Sequence, residues 1–197
     1  VDNDHYVKNF GDGVAKFAKM TGVTSRRIAP VGQTASDLSC VAAKKVLDSN
    51  RVSREEIDAL IFVSQTPDYV LPSTACVLHH RLGLKKTCLA FDINLGCSGF
   101  VYGLFVAASL CQQEGIRSVM LCGGDTITKL VSPQDRSAAM LFGDGGFAAV
   151  VSKQKTGSSI WHYLFGTDGQ GFKSIIVPSG TQRNTSGNRE VRECGEG

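Results

Sequence analysis

The sequence predicts an α/β fold, in which helices cover both faces of a β-sheet. Over the first 152 residues, short apolar segments typical of buried strands alternate with segments whose apolar residues have helical spacing. Hydrophobic residues make up 42% of the chain and charged residues 20%, the balance of an ordinary globular protein. We therefore expect an α/β domain over residues 1–152 and a different, connecting segment over residues 153–197.

The helices are predicted from apolar periodicity between residues that begin and end helices. Their predicted ranges are Val14–Met20, Asp37–Leu47, Ser73–Leu82 and Gly99–Cys111. Gly22 and Gly83 are expected to end the first and third helices. Ser36 is expected to cap the second, and Pro72 to take the first helical position of the third. Ser53 has a glutamate three residues later, the spacing of a capping box, and predicts one further helical turn.

The strands are predicted from continuous apolar runs, which are typical of strands buried on both faces. Their predicted ranges are Ala59–Val63, Cys88–Ile93, Val119–Cys122 and Phe147–Val151. After Ser152 the chain becomes rich in Gly, Ser, Thr and charge, and only two short strands are expected there, at Ser158–Leu164 and Ser174–Val177. The tail from Ser179 onward has the composition of a loop or a disordered segment.

The composition argues against several classes of protein. The net charge is only +3 and most basic residues are scattered, so no nucleic-acid partner is expected. No apolar run approaches the roughly 20 residues that a membrane span requires. The seven cysteines are odd in number and contain no C-x-x-C pair, which favours a reducing, cytoplasmic location. Cys76 lies near His79 and His80 without a second ligand cluster, so no metal site is expected.

The helix predicted over Gly99–Cys111 contains no charged residue. A helix that is apolar all round is expected to be buried on all sides, which requires a second covering layer from residues 153–197 or from protein outside this chain. Gly99, Gly103 and Ala107 recur every four residues and form a smooth ridge. Glycine inside a helix costs about 1 kcal/mol relative to alanine, so two glycines here indicate a packing requirement. We expect this ridge to let another helix approach closely.

Cys97 falls where a predicted strand ends and this helix begins. Free N–H groups and the positive end of the helix dipole lie at such a position, and both favour a thiolate. The same groups stabilise the oxyanion that forms when a thiolate attacks a carbonyl. Gly96 and Gly99 leave room for a substrate. The residues alone leave two interpretations open: a nucleophile, or another small core residue like Cys40.

Four segments, taken in order, are similar to those of a known family. The stretch Ala90–Leu104, AFDINLGCSGFVYGL, resembles the active-cysteine segment of the β-ketoacyl-acyl-carrier-protein synthase III family, within the thiolase-like superfamily. Asp58–Pro67, Leu71–Cys76, and Asp135–Arg136 with Phe142–Gly146 resemble other segments of that family. The resemblance covers roughly residues 20–180. It implies a thiolase-like, layered α/β/α fold, of which this chain holds one of two pseudo-symmetric halves and the start of a capping or lid region.

The resemblance implies an acyltransferase that forms a thioester on Cys97. The acyl donor is acyl-CoA or an acyl-carrier-protein thioester, and the acceptor is malonyl on acyl carrier protein, with release of carbon dioxide. No cofactor is implied, and a homodimer is. By the resemblance, Arg136 contacts the CoA nucleotide, Phe142 and Gly143 belong to the substrate site, and Leu71 reaches into the partner's pocket. The alternatives are core packing for Phe142 and Leu71, and an ion pair with Asp135 for Arg136.

The chain departs from the family pattern in two respects. The resemblance covers an N-terminal portion, about three-fifths of a family member, and the family's catalytic histidine and asparagine lie in the absent C-terminal half. We therefore expect acylation of Cys97 without turnover. The family often has a tryptophan and an arginine before its Thr-Gly pair, where this chain has Lys16–Thr21, so the hold on CoA is altered. An acyl-cysteine transferase to an alcohol or amine, and a non-catalytic partner subunit, remain alternatives.

Overall fold

A computed structural model describes residues 1–49, 51–153, 161–178 and 180. The chain forms two compact units, Val1–Ser159 and Ile160–Gly197. The first unit contains the five α-helices of the described residues, α1 (Asp4–Phe10), α2 (Gly13–Thr21), α3 (Ala35–Asp48), α4 (Thr74–Leu82) and α5 (Gly99–Leu110). The predicted division at residue 152 stays a prediction.

The first unit also contains a four-stranded sheet. Its strands are β1 (Ala59–Val63), β2 (Leu89–Ile93), β3 (Ser118–Asp125) and β4 (Gly145–Ser152), in the order β2-β1-β3-β4. β1 pairs in parallel with both β2 and β3, whereas β4 runs antiparallel to β3. The four predicted strands are confirmed, with β3 and β4 longer than their apolar runs because glycine and polar residues extend the pairing.

Helices cover both faces of the sheet, as the sequence predicts. Leu60 and Phe62 of β1 point into a core formed with α3 and α4. Ile61 and Val63 point to the opposite face, into a core that includes Ala107 of α5. All five residues of β1 are buried, because helices lie on both of its faces and strands on both of its edges.

The predicted ends of two helices are confirmed, and two predicted starts are wrong. Gly22 and Gly83 end α2 and α4 in left-handed conformations, with φ of 74° and 65°. Thr34, rather than Ser36, caps α3, because the carboxylate of Asp37 accepts a hydrogen bond from the Thr34 N–H at 2.8 Å. Ser36 lies inside the helix and is fully buried. Pro72 precedes α4, whose N-cap residue is Ser73.

Among the described residues, α5 packs one face against the sheet. Phe100, Val101 and Phe105 are 41–48% exposed, so the covering layer predicted for the other face stays a prediction. The ridge meets the sheet rather than another helix. A Cβ at Gly99 would overlap Val63, and one at Gly103 would lie 2.7 Å from Cδ1 of Leu121.

The second unit contains a 3-10 helix at Gly169–Ser174. The two short strands predicted after Ser152 are wrong where the structure describes them, because residues 161–164 and 175–177 are irregular. Residues 158–160 of the first of these strands, and the tail predicted from Ser179 except Gly180, lie outside the described residues. Within the described ranges, no helix combines the length and hydropathy needed to cross a bilayer.

Candidate active site

Three parallel strands end at the same edge of the sheet, which we call the carboxyl edge. Val63, the last residue of β1, pairs with Ile93 of β2 and Gly123 of β3. The loops that leave this edge begin at Ser64, at Asn94 and, after the last two residues of β3, at Thr126. In open α/β sheets, ligands bind outside the carboxyl ends of the strands. The edge is therefore the place where a site is expected.

Cys97 lies on the loop that leaves β2 at this edge. Its side chain is exposed, in a turn directly before Ser98, the N-cap residue of α5. The turn is closed by a hydrogen bond from the Gly99 N–H to the Gly96 carbonyl at 2.8 Å. The positive end of the helix dipole stabilises negative charge at this position. The structure thus places Cys97 at the surface of the described residues, unlike the buried Cys40.

The other described cysteines differ from Cys97 in exposure or in surroundings. Cys88 and Cys122 are buried, and burial raises the pKa of their thiols to about 11 and about 12. Cys40 and Cys111 are also buried. Cys76 is exposed, and its sulfur accepts a hydrogen bond from the Ser73 hydroxyl at 3.1 Å. Within the described part of the chain, Cys76 is therefore the natural control for the reactivity of Cys97.

Arg136 is exposed, and its guanidinium lies against Gly13 at the start of α2. It lines an open pocket of about 440 Å³ together with Gly13, Lys16, Phe17, Met20, Ser137 and Met140. The carboxylate of Asp135 does not pair with Arg136. It accepts hydrogen bonds from the Ser137 hydroxyl at 2.6 Å and the Ser137 N–H at 2.9 Å, and these bonds lower the pKa of Asp135.

Phe142 and Leu71 both have exposed side chains among the described residues. Phe142 is 37% exposed and lines a pocket of about 160 Å³ together with Tyr6, Ile28, Thr128, Val131, Pro133, Ala138 and Ala139. Leu71 is 84% exposed, in an apolar segment that begins at Tyr69. Neither Cys97 nor Leu71 lines the Phe142 pocket or the Arg136 pocket.

Gly143 packs against the main chain at Arg26 and Arg27. A Cβ at this position would lie 2.9 Å from Cβ of Arg26 and 3.0 Å from the Arg27 carbonyl. The next residue, Asp144, accepts hydrogen bonds from the Ala29 N–H at 2.7 Å and from the Thr128 hydroxyl at 2.6 Å. The glycine loop therefore joins the segment near residue 27 to the turn that follows β3.

Asp125 and Asp144 are organising residues that the sequence analysis did not select. The Asp125 carboxylate accepts four hydrogen bonds from residues 64–66 at the carboxyl edge. Each partner of these two carboxylates except Thr128 lies about 60 or more residues away, so no local pattern identifies them. The available signal was the position of Asp125 directly after an apolar strand run that ends in two glycines.

Comparisons with known proteins identify related sequences and structures. Residues 91–169, which include Cys97, match the family described as 3-Oxoacyl-[acyl-carrier-protein (ACP)] synthase III. The beta-ketoacyl-[acyl-carrier-protein] synthase III of Caldanaerobacter subterraneus subsp. tengcongensis is 38% identical over 173 residues, which cover 88% of this chain and 52% of that protein.

Solved structures give the same result. A 3-oxoacyl-(acyl-carrier protein) synthase from Burkholderia xenovorans superposes with a TM-score of 0.86 at 45% identity, covering 92% of this chain and 52% of that one. The synthase III from Pseudomonas aeruginosa superposes with a TM-score of 0.83 at 32% identity, covering 93% of this chain and 57% of that one.

The fold and its likeness to these solved structures define a thiolase-like α/β protein. The chain belongs to the β-ketoacyl-acyl-carrier-protein synthase III family, a family of enzymes. It spans about half the length of the relatives it matches.

Proposed function

We propose that Cys97 accepts an acyl group from a thioester and passes it to a malonyl thioester on acyl carrier protein, with loss of carbon dioxide. The observation that carries this proposal is the exposed thiol at the N-terminus of α5, on the carboxyl edge, within the region that matches the family. The relatives are named for a reaction on acyl carrier protein, which supports the carrier as the acceptor.

The first step is an acyl transfer between two sulfurs. The Cys97 thiolate attacks the thioester carbonyl, and the oxyanion of the tetrahedral intermediate collapses with loss of the donor's thiolate, which takes up the proton that Cys97 released. The N-terminal end of the α5 dipole stabilises both the thiolate and the oxyanion. In the second step, decarboxylation of the malonyl group supplies the carbanion that attacks the acyl-Cys97 carbonyl, and the Cys97 thiolate leaves.

Two cations in the Arg136 pocket support a phosphate-bearing donor. Lys16 and Arg136 line its wall together with the apolar side chains of Phe17, Met20 and Met140. Ammonium and guanidinium groups bind phosphate, while apolar side chains accept a base or a pantetheine arm. Acyl-CoA and acyl carrier protein both present a phosphate next to such an arm, so both are candidate donors.

An exposed apolar segment supports a dimer. Tyr69, Val70 and Leu71 are 60%, 80% and 84% exposed, an unusual sequence of large apolar residues on a surface. A contact between two copies would bury them. Leu71→Asp is expected to weaken the dimer by placing a charge in this contact, and sedimentation of wild type and variant at matched concentrations measures the change.

Two alternatives remain, and each predicts a different result. A related transferase would pass the acyl group from Cys97 to an alcohol or an amine. A non-catalytic subunit would have no use for the thiol, and the exposure of Cys97 at a helix N-terminus disfavours it.

The test is single-turnover acylation, followed by intact mass. Acetyl-CoA and acetyl-carrier protein are each mixed with the wild type, Cys97→Ala and Cys76→Ala. We expect an acetyl adduct that survives in Cys76→Ala and is absent in Cys97→Ala. Because acylation without turnover is expected of this chain, the acceptor is identified with a protein of the relatives' full length, by loss of the adduct after addition of malonyl-carrier protein, an alcohol or an amine. The absence of any adduct on wild-type protein with both donors would contradict the proposal.

The donor pocket is tested with two charge-removing variants and a matched control. Lys16→Ala and Arg136→Ala are expected to raise the donor concentration for half-maximal acylation, with a smaller effect on the rate at saturation. Lys19→Ala is the control, because Lys19 lies on the same helix and does not line the pocket. An equal effect of all three variants would point to general surface charge rather than to the pocket.

A further inference from the structure

A single carboxylate organises the loop that leaves β1. Oδ1 of Asp125 accepts hydrogen bonds from the Ser64 hydroxyl at 3.0 Å, the Gln65 N–H at 2.8 Å, and the N–H and hydroxyl of Thr66, each at 3.0 Å. A further hydrogen bond connects the same two segments, because the Thr126 N–H donates to the Thr66 hydroxyl at 2.9 Å. The main chain at Gln65 is therefore fixed to the end of β3.

The side chain of Gln65 reaches the loop that leaves β2. Its carboxamide lies over the Cα atom of Gly96, where a Cβ would overlap it. Gly96 is the residue directly before Cys97, and its carbonyl closes the turn at the N-terminus of α5. The glycine thus provides the space that the Gln65 carboxamide fills.

We propose that Gln65 is a positioning residue for Cys97. Its carboxamide braces the Gly96–Cys97 turn by steric contact, and Asp125 holds Gln65 in place through the main chain. The brace keeps the sulfur of Cys97 in the orientation required for attack on the donor carbonyl. This inference rests on the proposed function, because it assigns Gln65 a part in the acylation of Cys97.

Stability alone gives little reason for this arrangement. Gln65 is exposed, so its carboxamide gains little from burial, while ordering a glutamine side chain costs rotamer entropy. Geometry at a nucleophile has a larger consequence, because a misplacement of about 1 Å can slow a reaction roughly 100-fold. A brace at this position therefore acts on rate more than on folding.

The test compares acylation of Cys97 in four proteins, using the full chain and acetyl-CoA or acetyl-carrier protein as donor. Gln65→Ala removes the brace, Gln65→Met keeps its length and shape, and Gln112→Ala is a matched control at an exposed glutamine beyond α5. We expect Gln65→Ala to lower the acylation rate at saturating donor by about 10- to 100-fold, with little change in half-saturating donor concentration or melting temperature. Gln65→Met recovers most of the rate, and Gln112→Ala behaves as wild type.

A second variant pair isolates the contact itself. Gly96→Ala pushes the carboxamide away, since its methyl group overlaps Gln65. If the contact positions Cys97, Gly96→Ala slows acylation in the wild-type background and has a much smaller effect when Gln65 is already alanine. Equal effects in both backgrounds would overturn the proposal.

The outcomes separate this inference from the proposed function. A wild-type protein that takes no acyl group on Cys97 contradicts the proposed function. If Cys97 is acylated at equal rates in the wild type and in Gln65→Ala, only the role of Gln65 is contradicted. If Gln65→Ala lowers the acylation rate and also lowers the melting temperature markedly, the role of Gln65 is purely structural. That result would also overturn the inference.

Discussion

Asp58 lies at the entry to β1, where its carboxylate joins three parts of the fold. Oδ1 accepts a hydrogen bond from the Lys85 ammonium at 2.5 Å, and Oδ2 accepts from the N–H groups of Arg117 at 2.7 Å and Ser118 at 3.3 Å. Burial alone would raise the pKa of Asp58, but the bonds to Lys85, Arg117 and Ser118 outweigh it and hold the pKa below its ordinary value of 3.8.

Asp58→Asn keeps the shape of the side chain and removes the charge. The amide group has to face either the Lys85 ammonium or the two N–H groups, so one set of donors loses its acceptor. An unsatisfied buried donor costs about 1–3 kcal/mol, and hydrogen bonds to charged groups contribute about 1.5–3 kcal/mol. Because the Lys85 side chain is 31% exposed, we expect a loss near the middle of these ranges, about 2 kcal/mol at about pH 7.

Urea unfolding followed by circular dichroism measures this loss at several pH values. Since the pKa of Asp58 is depressed in the folded protein, its contribution is complete above pH 3.8 and is lost as the pH falls through the folded pKa. The difference in free energy of unfolding between wild type and Asp58→Asn is therefore expected to decrease below pH 3.8. Asp48→Asn, at an exposed carboxylate, should change stability by less than about 0.5 kcal/mol. If this difference in free energy of unfolding is the same at about pH 7 and about pH 2.5, the Asp58 charge does not provide the stabilisation.

Three further predictions concern other parts of the same framework. Asp92→Ala removes the acceptor of the first two N–H groups of α4, at 2.6 and 2.7 Å, and should lower the free energy of unfolding in urea by about 1–2 kcal/mol. Asp144→Ala releases the main chain at residues 29 and 128, so hydrogen exchange of those two amides should accelerate while the amides of β1 stay protected. Cys88 and Cys122 should resist iodoacetamide at about pH 8 until the chain unfolds, as counted by mass, because burial raises the pKa of both thiols. An unchanged free energy of unfolding in Asp92→Ala would contradict the first prediction, and unchanged exchange of the two amides in Asp144→Ala the second. Alkylation of Cys88 or Cys122 in the folded protein would contradict the third.

The elements that the sequence predicts are those whose signals are local. The strand Ala59–Val63 is an apolar run without polar interruption, because both faces and both edges of β1 are covered. The ends of α2 and α4 follow from Gly22 and Gly83, since glycine takes the left-handed conformation at little cost. The position of Cys97 between a strand and a helix is also readable locally, whereas its role as a nucleophile is implied by the family resemblance and stays a prediction.

The features that the sequence does not predict depend on partners far along the chain. The helix α1 has only Tyr6 buried, and contacts such as the Arg26 guanidinium, 4.8 Å from the Tyr6 ring centre, lie 20 residues away. The choice of Thr34 over Ser36 as cap depends on tertiary structure as well, because the Ser36 hydroxyl donates to Asp68 at 2.5 Å. The exposed face of α5 was predicted to be covered from residues 153–197 or from outside this chain, and that prediction stays untested.

Peptide mapping after exposure to an acyl thioester tests the central claim most directly. The protein is incubated with acetyl-CoA or acetyl-carrier protein, digested at low pH to preserve thioesters, and analysed by tandem mass spectrometry. We expect an acetyl group on the peptide that contains Cys97 and none on the peptide that contains Cys76, the other exposed cysteine of the described residues. Acetylation of both at equal rates, or of Cys76 alone, would contradict the claim that this fold places Cys97 to act as a nucleophile.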